Sequence, residues 1–269
     1  MKTRTITSGK RFVVGGALLL LFALSASHAF GEFYVIAGGR GVGTKIASLP
    51  YTISSPGFYY IDKDLSCSGA HGITITADDV TLDLMGFSLS QSGGGTYKGI
   101  SMTGRSNVEI RNGTVRNFPS TGIYEDSTGA TGHRIVNIRA RDNGDYGIYL
   151  LGTSHTVKGC TAVGNGFNGI YAGYASTITG NTCYDNDDNG IYASYGSTIT
   201  GNTCYNNDNN GIHAGPASTV TGNTCYDNTD YGIYLGGNNL VDQNTAYNNG
   251  TGKNMNTCAT CTFGTNHAP

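Results

Sequence analysis

The sequence has no tryptophan, only five prolines, and a charged fraction of just 13%. Glycine instead accounts for 42 of the 269 residues, and a chain rich in glycine and poor in long charged side chains is poorly suited to helices. Such a composition favours short strands joined by tight turns. A strongly basic balance is also missing, because the formal net charge is −2 at pH 7. We therefore predict no nucleic-acid partner.

Long apolar runs are missing beyond residue 29. The single such stretch, "FVVGGALLLLFAL", is 13 residues long, follows four basic residues and precedes the small residues Ser27 and Ala29. This arrangement is typical of a secretory signal peptide, and the stretch is too short to span a bilayer. We predict a signal peptide over residues 1–29 and no transmembrane segment in the mature chain. The expected location is the periplasm, the cell surface or the extracellular space.

The most informative pattern is a repeat of 21 residues. The stretch "GNTCYDNDDNGIYASYGSTIT" occupies residues 180–200, and two near copies follow it directly. A period in this range indicates stacked structural units. Apolar and polar residues alternate within each unit, which gives three short strands, "GIYA", "STIT" and "NTCY". The sequence therefore predicts an all-β fold, a single-stranded right-handed parallel β-helix (solenoid) of about eight or nine coils with three short strands each.

The extent of the repeat sets the domain boundaries. We predict one solenoid over residues 59–250. Residues 30–58 have no repeat register and are predicted to cap the first coil, because an open end of a β-helix is an unprotected sheet edge. Residues 251–269 are predicted to form a C-terminal cap or tail. In it, Cys258 and Cys261 either form a local disulfide or only contribute to the packing of the cap. Cysteine is present seven times, so at least one thiol is unpaired within the chain, and the states of Cys67 and Cys160 stay open.

Residues one period apart stack into columns in a solenoid. Cys183, Cys204 and Cys225 share an inward column with alanine at both ends, so the position requires a small residue. We predict buried, reduced thiols there, because in-register strands hold their Cβ atoms too far apart for a disulfide. Asparagine also forms two columns. Within each column, the stacked side-chain amides are predicted to form hydrogen bonds with one another and with the backbone of the turn. The first contains Asn143, Asn165, Asn186, Asn207, Asn228 and Asn249, and the second contains Asn181, Asn202, Asn223 and Asn244.

The coil pattern G-I-x-[LA], with G-N-T at a bend, resembles the right-handed parallel β-helix repeat family of the pectin-lyase-like superfamily. The stretch "GITITADDVTLDLMGFSLS" is similar to the opening coils of secreted bacterial members. The resemblance covers residues from Tyr59 to Asn249 and implies the fold. It leaves the function open, because the superfamily includes pectate lyases, polygalacturonases, alginate epimerases, phage tailspikes and a periplasmic copper-handling accessory protein.

If the chain is an enzyme, the resemblance implies one of two kinds of active site: a cluster of aspartates, or a base beside an arginine. Arg139 and Arg141 lie on either side of Ala140, which is predicted to face inward, so both arginines are predicted to face outward. Asp142 follows them directly in the sequence. Asp187 and Asp188 are the second candidates for acid–base catalysis, although a G-H-G motif is absent from the chain. Ordinary salt pairing of the first cluster, and solvation of the second, are the simpler explanations.

Outward aromatic residues are the candidate ligand-binding positions, because sugar rings pack against exposed tyrosines. Stacking along the sheet is the structural explanation for the same pattern. Aspartates on successive turns are candidates for binding Ca²⁺, which prefers oxygen ligands, and no other cofactor is predicted. The aromatic candidates are Tyr149, Tyr171, Tyr192, His213 and Tyr234, and the calcium candidates are Asp185, Asp187, Asp188 and Asp208.

The sequence favours a secreted or surface-associated protein with a carbohydrate-binding or scaffold role and an extracellular polysaccharide as partner. Two alternatives stay open. One is a polysaccharide lyase or hydrolase that acts on extracellular glycans, and the other is a structural component that self-assembles in an envelope or fibre. An enzyme would need loops that wall a cleft, and only the early coils carry extra residues. The sequence does not decide between a monomer and an end-to-end or side-by-side assembly.

Overall fold

The structure, a computed structural model, describes residues 43–269. The predicted signal peptide, residues 1–29, and the segment up to residue 42 lie outside the described residues. Within the described range all regular secondary structure is β, and no membrane-spanning helix is found there.

The strands in chain order are β1 (Thr44–Lys45), β2 (Tyr51–Ile53), β3 (Gly57–Tyr60), β4 (Leu65–Cys67), β5 (Ile73–Ile75), β6 (Val80–Asp83), β7 (Ser88–Gln91), β8 (Ile100–Ser101), β9 (Glu109–Arg116), β10 (Ile123–Glu125), β11 (Arg134–Arg141), β12 (Ile148–Thr153), β13 (Thr156–Lys158), β14 (Thr161–Val163), β15 (Ile170–Tyr174), β16 (Thr177–Thr179), β17 (Thr182–Tyr184), β18 (Ile191–Ala193), β19 (Thr198–Thr200), β20 (Thr203–Tyr205), β21 (Ile212–Ala214), β22 (Thr219–Thr221), β23 (Thr224–Tyr226), β24 (Ile233–Leu235), β25 (Leu240–Asp242), β26 (Thr245–Tyr247) and β27 (Thr262–Phe263).

The strands form a parallel solenoid in which each turn of the chain adds a rung to two sheets. One sheet has nine strands in the order β2-β5-β8-β10-β12-β15-β18-β21-β24. The other has 18 strands and covers the remaining two sides, so a late turn contains three strands, as in β18, β19 and β20. A parallel bridge between Ile233 and Met255 adds a tenth turn beyond the nine-stranded sheet. The predicted all-β parallel β-helix is confirmed, and its number of turns is close to the prediction.

The parallel pairing extends further at both ends than the repeated letters indicate. β1 and β2, which lie in the predicted N-terminal cap segment, pair in register with β3 and β5. β27, which lies in the predicted C-terminal segment, pairs with β25. Both segments follow the path of the solenoid without its repeat, because a parallel ladder is made by backbone groups and does not require particular side chains.

The core is a stack of aliphatic side chains in register. Ile148, Ile170, Ile191, Ile212 and Ile233 are partners in successive strands, and all five are fully buried. Burial of one such side chain stabilises a fold by roughly 1.5–3 kcal/mol. No single turn can bury this face alone, so each turn depends on its neighbours.

The cysteine column has the predicted packing role. Cys183, Cys204 and Cys225 are free and fully buried. Ala162 pairs with Cys183, and Ala246 pairs with Cys225, so the small position continues on both sides. The prediction of reduced core thiols is confirmed.

The remaining four cysteines fall into two kinds. Cys67 and Cys160 are buried free thiols, whereas Cys258 and Cys261 form a disulfide in the last turn. Of the two alternatives for this last pair, the structure therefore has the disulfide, which closes the turn that precedes β27.

The two predicted asparagine columns are continuous hydrogen-bond ladders. Nδ2 of Asn186 donates to Oδ1 of Asn207 at 2.9 Å, and the backbone N–H of Asn186 donates to the same oxygen. Nδ2 of Asn186 also donates to the carbonyl oxygen of Ala162 on the coil below. The same pattern continues to Asn254 in the first ladder and to Asn266 in the second. These buried amides thus satisfy the polar groups of two corners.

The corners need residues with a left-handed backbone. Gly180, Gly201 and Gly222 occupy one corner with φ of 63°, 65° and 64°, which explains the recurring G-N-T. Asp185 and Asn206 occupy another corner with φ of 54° and 53°, and Asp and Asn tolerate this conformation better than other residues with a side chain.

The structure also contains a polar column at the third corner, which the repeated letters do not reveal. The backbone N–H of His133 donates to Nδ1 of His155 at 3.2 Å, and the N–H of His155 donates to Oγ of Ser176 at 3.3 Å. The residue type changes from His to Ser to Asn along the column, which hides the periodicity in the letters. The buried members are His133, His155, Ser176, Ser197, Ser218 and Asn239.

Candidate functional site

A groove of about 350 Å³ lies on one corner of the early coils. Its floor follows a column of left-handed corner residues, Gly86, Asn112, Asn137 and Gly159, with φ between 53° and 88°. Nδ2 of Asn137 donates to Oδ1 of Asn112 at 3.3 Å, so amide groups run along the groove. The remaining lining residues are Gly113, Thr114, Ile138, Arg139 and Thr161.

Arg139 is the charged residue of this groove. It is exposed and pairs in register with Thr114 on one side and Thr161 on the other, whose short side chains leave the guanidinium open. Among residues 43–269 it has no ion pair and no hydrogen bond from its side chain. An unpaired guanidinium in a concave surface offers several donors to an anionic ligand.

Two further cations near the groove also lack partners in the described part of the chain. Arg116 pairs in register with Arg141 on the same face as Arg139, one coil below. Lys158 precedes Gly159 of the groove floor by one residue and is exposed. The corner therefore has an uncompensated positive charge.

The other arginines of this region are neutralised. Arg111 bonds to the carboxylates of Asp83 and Glu109 at 2.8 and 3.0 Å. Arg134 bonds to Glu109 at 2.8 Å. Asp83 is completely buried beneath this network, and none of these paired residues lines the groove.

The first predicted catalytic cluster is only partly assembled. Arg139 and Arg141 share the outward face of β11, as expected from strand alternation. Asp142 is exposed at a left-handed corner with φ of 54°, and its Oδ2 accepts a hydrogen bond from Arg141 at 2.6 Å. An exposed carboxylate that is already paired with arginine is poorly placed to act as a general base for a ligand at Arg139.

The aspartates of the later turns lie away from the groove. Asp187 is exposed between β17 and β18, and Oδ1 of the adjacent Asp188 accepts amide hydrogen bonds from Asn189 and Asn209 at 3.0 and 2.7 Å. Asp185 serves as a left-handed corner residue, and Asp208 occupies the next turn. In the described range no group of three or more His, Cys, Asp or Glu is arranged to hold a metal ion. The calcium candidates are therefore not brought into one cluster.

The predicted aromatic candidates form a stacked file on the nine-stranded sheet. Ring centroids are 4.8 Å apart for Tyr149 and Tyr171, 5.0 Å for Tyr171 and Tyr192, and 4.4 Å for Tyr192 and His213. Tyr234 follows His213 at 4.9 Å. Partial burial lowers the pKa of His213, so its imidazole is neutral at neutral pH.

The solenoid architecture defines this protein as a parallel β-helix. Residues 71–266 match the family described as "Periplasmic copper-binding protein (NosD)", and the chain belongs to that family. A comparison with curated proteins found no match.

Similar solved structures are right-handed parallel β-helix proteins. The A-module of mannuronan C-5 epimerase AlgE6 from Azotobacter vinelandii is 18% identical over 72% of this chain and 62% of that chain, with a TM-score of 0.58. A variant of the periplasmic alginate epimerase AlgG is 12% identical over 79% and 70%, with a TM-score of 0.56. The Dettilon tailspike protein is 15% identical over 83% and 59%, with a TM-score of 0.52. The chain thus spans 62% of the epimerase module, and likeness at these identities shows the fold alone.

The described residues do not fit the copper ion that the family description names. Copper binds to thiolate, thioether and imidazole groups. Nδ1 of His133 and Nδ1 of His155 each accept a backbone hydrogen bond, and Nε2 of His155 donates to the carbonyl oxygen of Leu151 at 3.0 Å. The free thiols are buried, and this burial raises the pKa of Cys160 to about 12. The Nδ1 lone pairs of the histidines are already engaged by the backbone and the thiols are held protonated, so neither set offers free, converging ligands.

Proposed function

We propose that the chain is an exported glycan-binding protein that holds an acidic polysaccharide in the corner groove. The observation that carries this proposal is the exposed guanidinium of Arg139, which lies within the groove and has no partner among residues 43–269. A carboxylate or sulfate ester on a sugar would supply the missing charge and accept two parallel hydrogen bonds.

The surroundings of Arg139 support a sugar as the carrier of that charge. Asn112 and Asn137 supply amide groups, and Thr114 and Thr161 supply hydroxyl groups, along the same groove. These groups donate and accept hydrogen bonds, as sugar hydroxyls require. The two unpaired cations, Arg116 and Lys158, extend the positive charge beyond a single sugar unit.

The comparisons support the same ligand class and an exported location. The names of two structural relatives denote enzymes that act on mannuronan and on alginate, which are acidic polysaccharides. The family description and the name of AlgG both include the periplasm. We propose that residues 1–29 are removed on export and that the solenoid acts in the periplasm or beyond it.

The residues of the groove favour binding of the polysaccharide without a chemical reaction. Catalysis on a uronate needs a base or acid beside the bound sugar. The candidate carboxylates are Asp142, which is paired with Arg141, and Asp187 and Asp188, which lie on turns beyond the groove. We therefore propose no reaction for this site.

Isothermal titration of the mature chain tests the proposal, with oligogalacturonate as the acidic probe and a cello-oligosaccharide as the neutral probe. We expect only the acidic probe to bind, and to bind more weakly as salt is added. Arg139→Ala is expected to weaken binding about tenfold, which corresponds to a loss of ~1.4 kcal/mol. Lys63→Ala, which removes an exposed cation from the first turn, is the matched control and is expected to bind normally.

Four other outcomes would contradict the proposal. Equal affinity for both probes, or unchanged affinity in Arg139→Ala, would rule out a charge-directed groove. Release of shortened or unsaturated sugars would support the lyase or hydrolase alternative. Fibres that form with rising protein concentration, without glycan binding, would support the self-assembling alternative.

A further inference from the structure

A five-residue motif, D-Y-G-I-Y, occurs at two turns that lead into the nine-stranded sheet. The first motif is residues 145–149, and the second motif is residues 230–234. In both motifs the isoleucine is fully buried, and the two tyrosines form a tilted ring pair. The ring centroids are 4.7 Å apart at 54° in the first motif and 5.6 Å apart at 58° in the second. The two motifs therefore have closely similar geometry, and the groups that meet them can be compared.

The second motif binds an ammonium group that the chain itself supplies. Nζ of Lys253 donates to Oδ1 of Asp230 at 2.6 Å and lies 5.4 Å from the centroid of the Tyr231 ring. Lys253 comes from the next coil, where its carbonyl oxygen accepts the N–H of Gly232 at 2.9 Å. A carboxylate and an aromatic face thus share one ammonium group, through a charge-assisted hydrogen bond and a cation–π contact.

The first motif meets an asparagine where the second meets Lys253. The carbonyl oxygen of Asn168 accepts the N–H of Gly147 at 3.2 Å, which is the backbone contact that Lys253 makes with Gly232. Asn168 is buried, and its Oδ1 accepts the backbone and side-chain N–H groups of Asn189 at 3.1 and 2.8 Å. The Asn168 side chain is therefore engaged between the coils and brings no charge to the first motif.

The first motif also has a second aromatic wall. The N–H of Phe167 donates to the carbonyl oxygen of Asp145 at 3.1 Å, so the two residues are neighbours on successive coils. The Phe167 ring is 42% exposed and lies 4.9 Å from the Tyr146 ring at 70°, which makes a corner of two ring planes. Oδ2 of Asp145 accepts the hydroxyl of Ser120 at 2.7 Å, and Oδ1 has no partner within residues 43–269. The Asp145 carboxylate thus keeps a free acceptor.

We propose that Asp145, Tyr146 and Phe167 form an ammonium site that binds the primary ammonium group of an aliphatic amine. The ligand class follows from Lys253, whose primary ammonium group ends an alkyl stem. An amine placed as Lys253 is in the second motif donates to the free Oδ1 of Asp145 and lies against the Tyr146 ring. Its alkyl stem packs on Phe167, which the second motif lacks. A free amine and the lysine side chain of a partner protein share this chemistry.

The ammonium site is separate from the groove at Arg139. It lies on the turn that leads into β12 of the nine-stranded sheet, whereas the groove lies on a corner of the 18-stranded sheet. The inference therefore goes beyond the proposed function, and each can fail without the other. Arg139→Ala is expected to leave amine binding unchanged, and Phe167→Leu is expected to leave oligogalacturonate binding unchanged.

NMR titration of the mature chain with n-pentylamine tests the inference, with n-pentanol as the neutral probe of equal chain length. We expect the amine to bind about tenfold more tightly than the alcohol, a difference of ~1.4 kcal/mol. Asp145→Asn keeps an oxygen for the Ser120 hydroxyl and is expected to remove this preference. Phe167→Leu keeps an apolar side chain without a ring and is expected to weaken amine binding about threefold.

Two further variants separate the ammonium site from general attraction to an acidic protein. Asp227→Asn makes the same charge change at an exposed corner with φ of 55°, which Asn206 occupies one coil earlier with φ of 53°. This control is expected to bind n-pentylamine normally. Lys253→Met removes the chain's own ammonium group from Asp230 and is expected to add a second, weaker amine site.

The inference is overturned by any of three results. These are equal binding of n-pentylamine and n-pentanol, a loss in Asp227→Asn as large as that in Asp145→Asn, and no added site in Lys253→Met. A last probe, the N-acetyl N-methylamide of lysine, distinguishes the two sources of the amine. Tighter binding of this probe than of n-pentylamine would support a partner protein, and the reverse order would support a free amine.

Discussion

Single residues of the same type have different roles in this solenoid according to their column. Asn206 and Asn207 are neighbours in sequence, yet Asn206 is an exposed corner residue with φ of 53° and Asn207 is completely buried in a ladder. Asn207 accepts from the backbone and the amide of Asn186 and donates to Asn228. The contribution of an asparagine thus depends on its partners on the coils above and below.

Replacement of these two residues by glycine should separate the two roles. Asn207→Gly leaves buried donors and acceptors of Asn186 and Asn228 without partners, and we expect a loss of unfolding free energy on the order of 3 kcal/mol. Asn206→Gly should change stability by only a few tenths of a kcal/mol, because glycine adopts positive φ without strain. Urea denaturation of the two variants measures the difference. Similar destabilisation by both would contradict the ladder as a source of stability.

The free thiols should be unreactive in the folded chain. All five are buried, and burial raises the pKa of Cys160 to about 12 and that of Cys204 well above its usual value. Since the thiolate is the reactive form, we expect almost no reaction with a thiol reagent until the protein is denatured, when all five react. A rapidly titrating thiol in the native protein would show that the core is more open than described.

Periodic residues could be predicted from the sequence, and the site could not. The cysteine column and both asparagine ladders follow from a 21-residue spacing of identical letters. The groove depends instead on the corner residues Asn112, Asn137 and Gly159, which are unequally spaced and are not all of one type. Arg139 was singled out by strand alternation, but its lack of a partner depends on which neighbours pair with each other, and that is visible only in three dimensions.

Among the structural elements, the long strands β9 and β11 distinguish the early coils from the later ones. Each has eight residues and passes through a corner that divides later coils into two short strands, such as β13 and β14. Arginine side chains therefore continue from one side of the corner to the other. The groove crosses this corner from Gly86, which precedes β7, to Thr161 in β14.

The polar corner column predicts a pH effect on stability. Burial lowers the pKa of His155 from its ordinary value of 6.5 to about 4 in the folded chain. The unfolded chain therefore takes up the proton first as the pH falls. The stability contributed by neutral His155 is complete above pH 6.5 and declines between pH 6.5 and 4, by roughly 3 kcal/mol in total.

His155→Ser tests this effect, because Ser176 fills the same corner position on the next coil. The serine oxygen should still accept the N–H of His133, while the titrating group is removed. Thermal unfolding of both proteins at neutral and mildly acidic pH should show a smaller acid-induced loss in the variant. An identical loss in both would assign the acid sensitivity to the carboxylates.

At the scale of the whole molecule, contacts are limited to neighbouring turns, so damage should stay local. The disulfide between Cys258 and Cys261 lies in the last turn, which is paired on one side only, through β25 and β27. In Cys258→Ser/Cys261→Ser we expect faster amide hydrogen exchange around β27 and little change in the central turns. Uniformly faster exchange along the solenoid would show instead that the turns unfold as one unit.

The uniform direction of the two long asparagine ladders has a consequence for how such a chain can change over evolutionary time. In every hydrogen bond of a ladder, Nδ2 of one asparagine donates to Oδ1 of the asparagine on the next coil. The ladder bonds of one coil are therefore the same as those of any other coil. Excision of residues 187–207 would leave Asn228 one period from Asn186, with the same bond between them. Recombination between near-identical segments can thus duplicate or remove whole coils without disturbing the ladder. The number of coils is therefore the property of this protein that changes most easily in evolution.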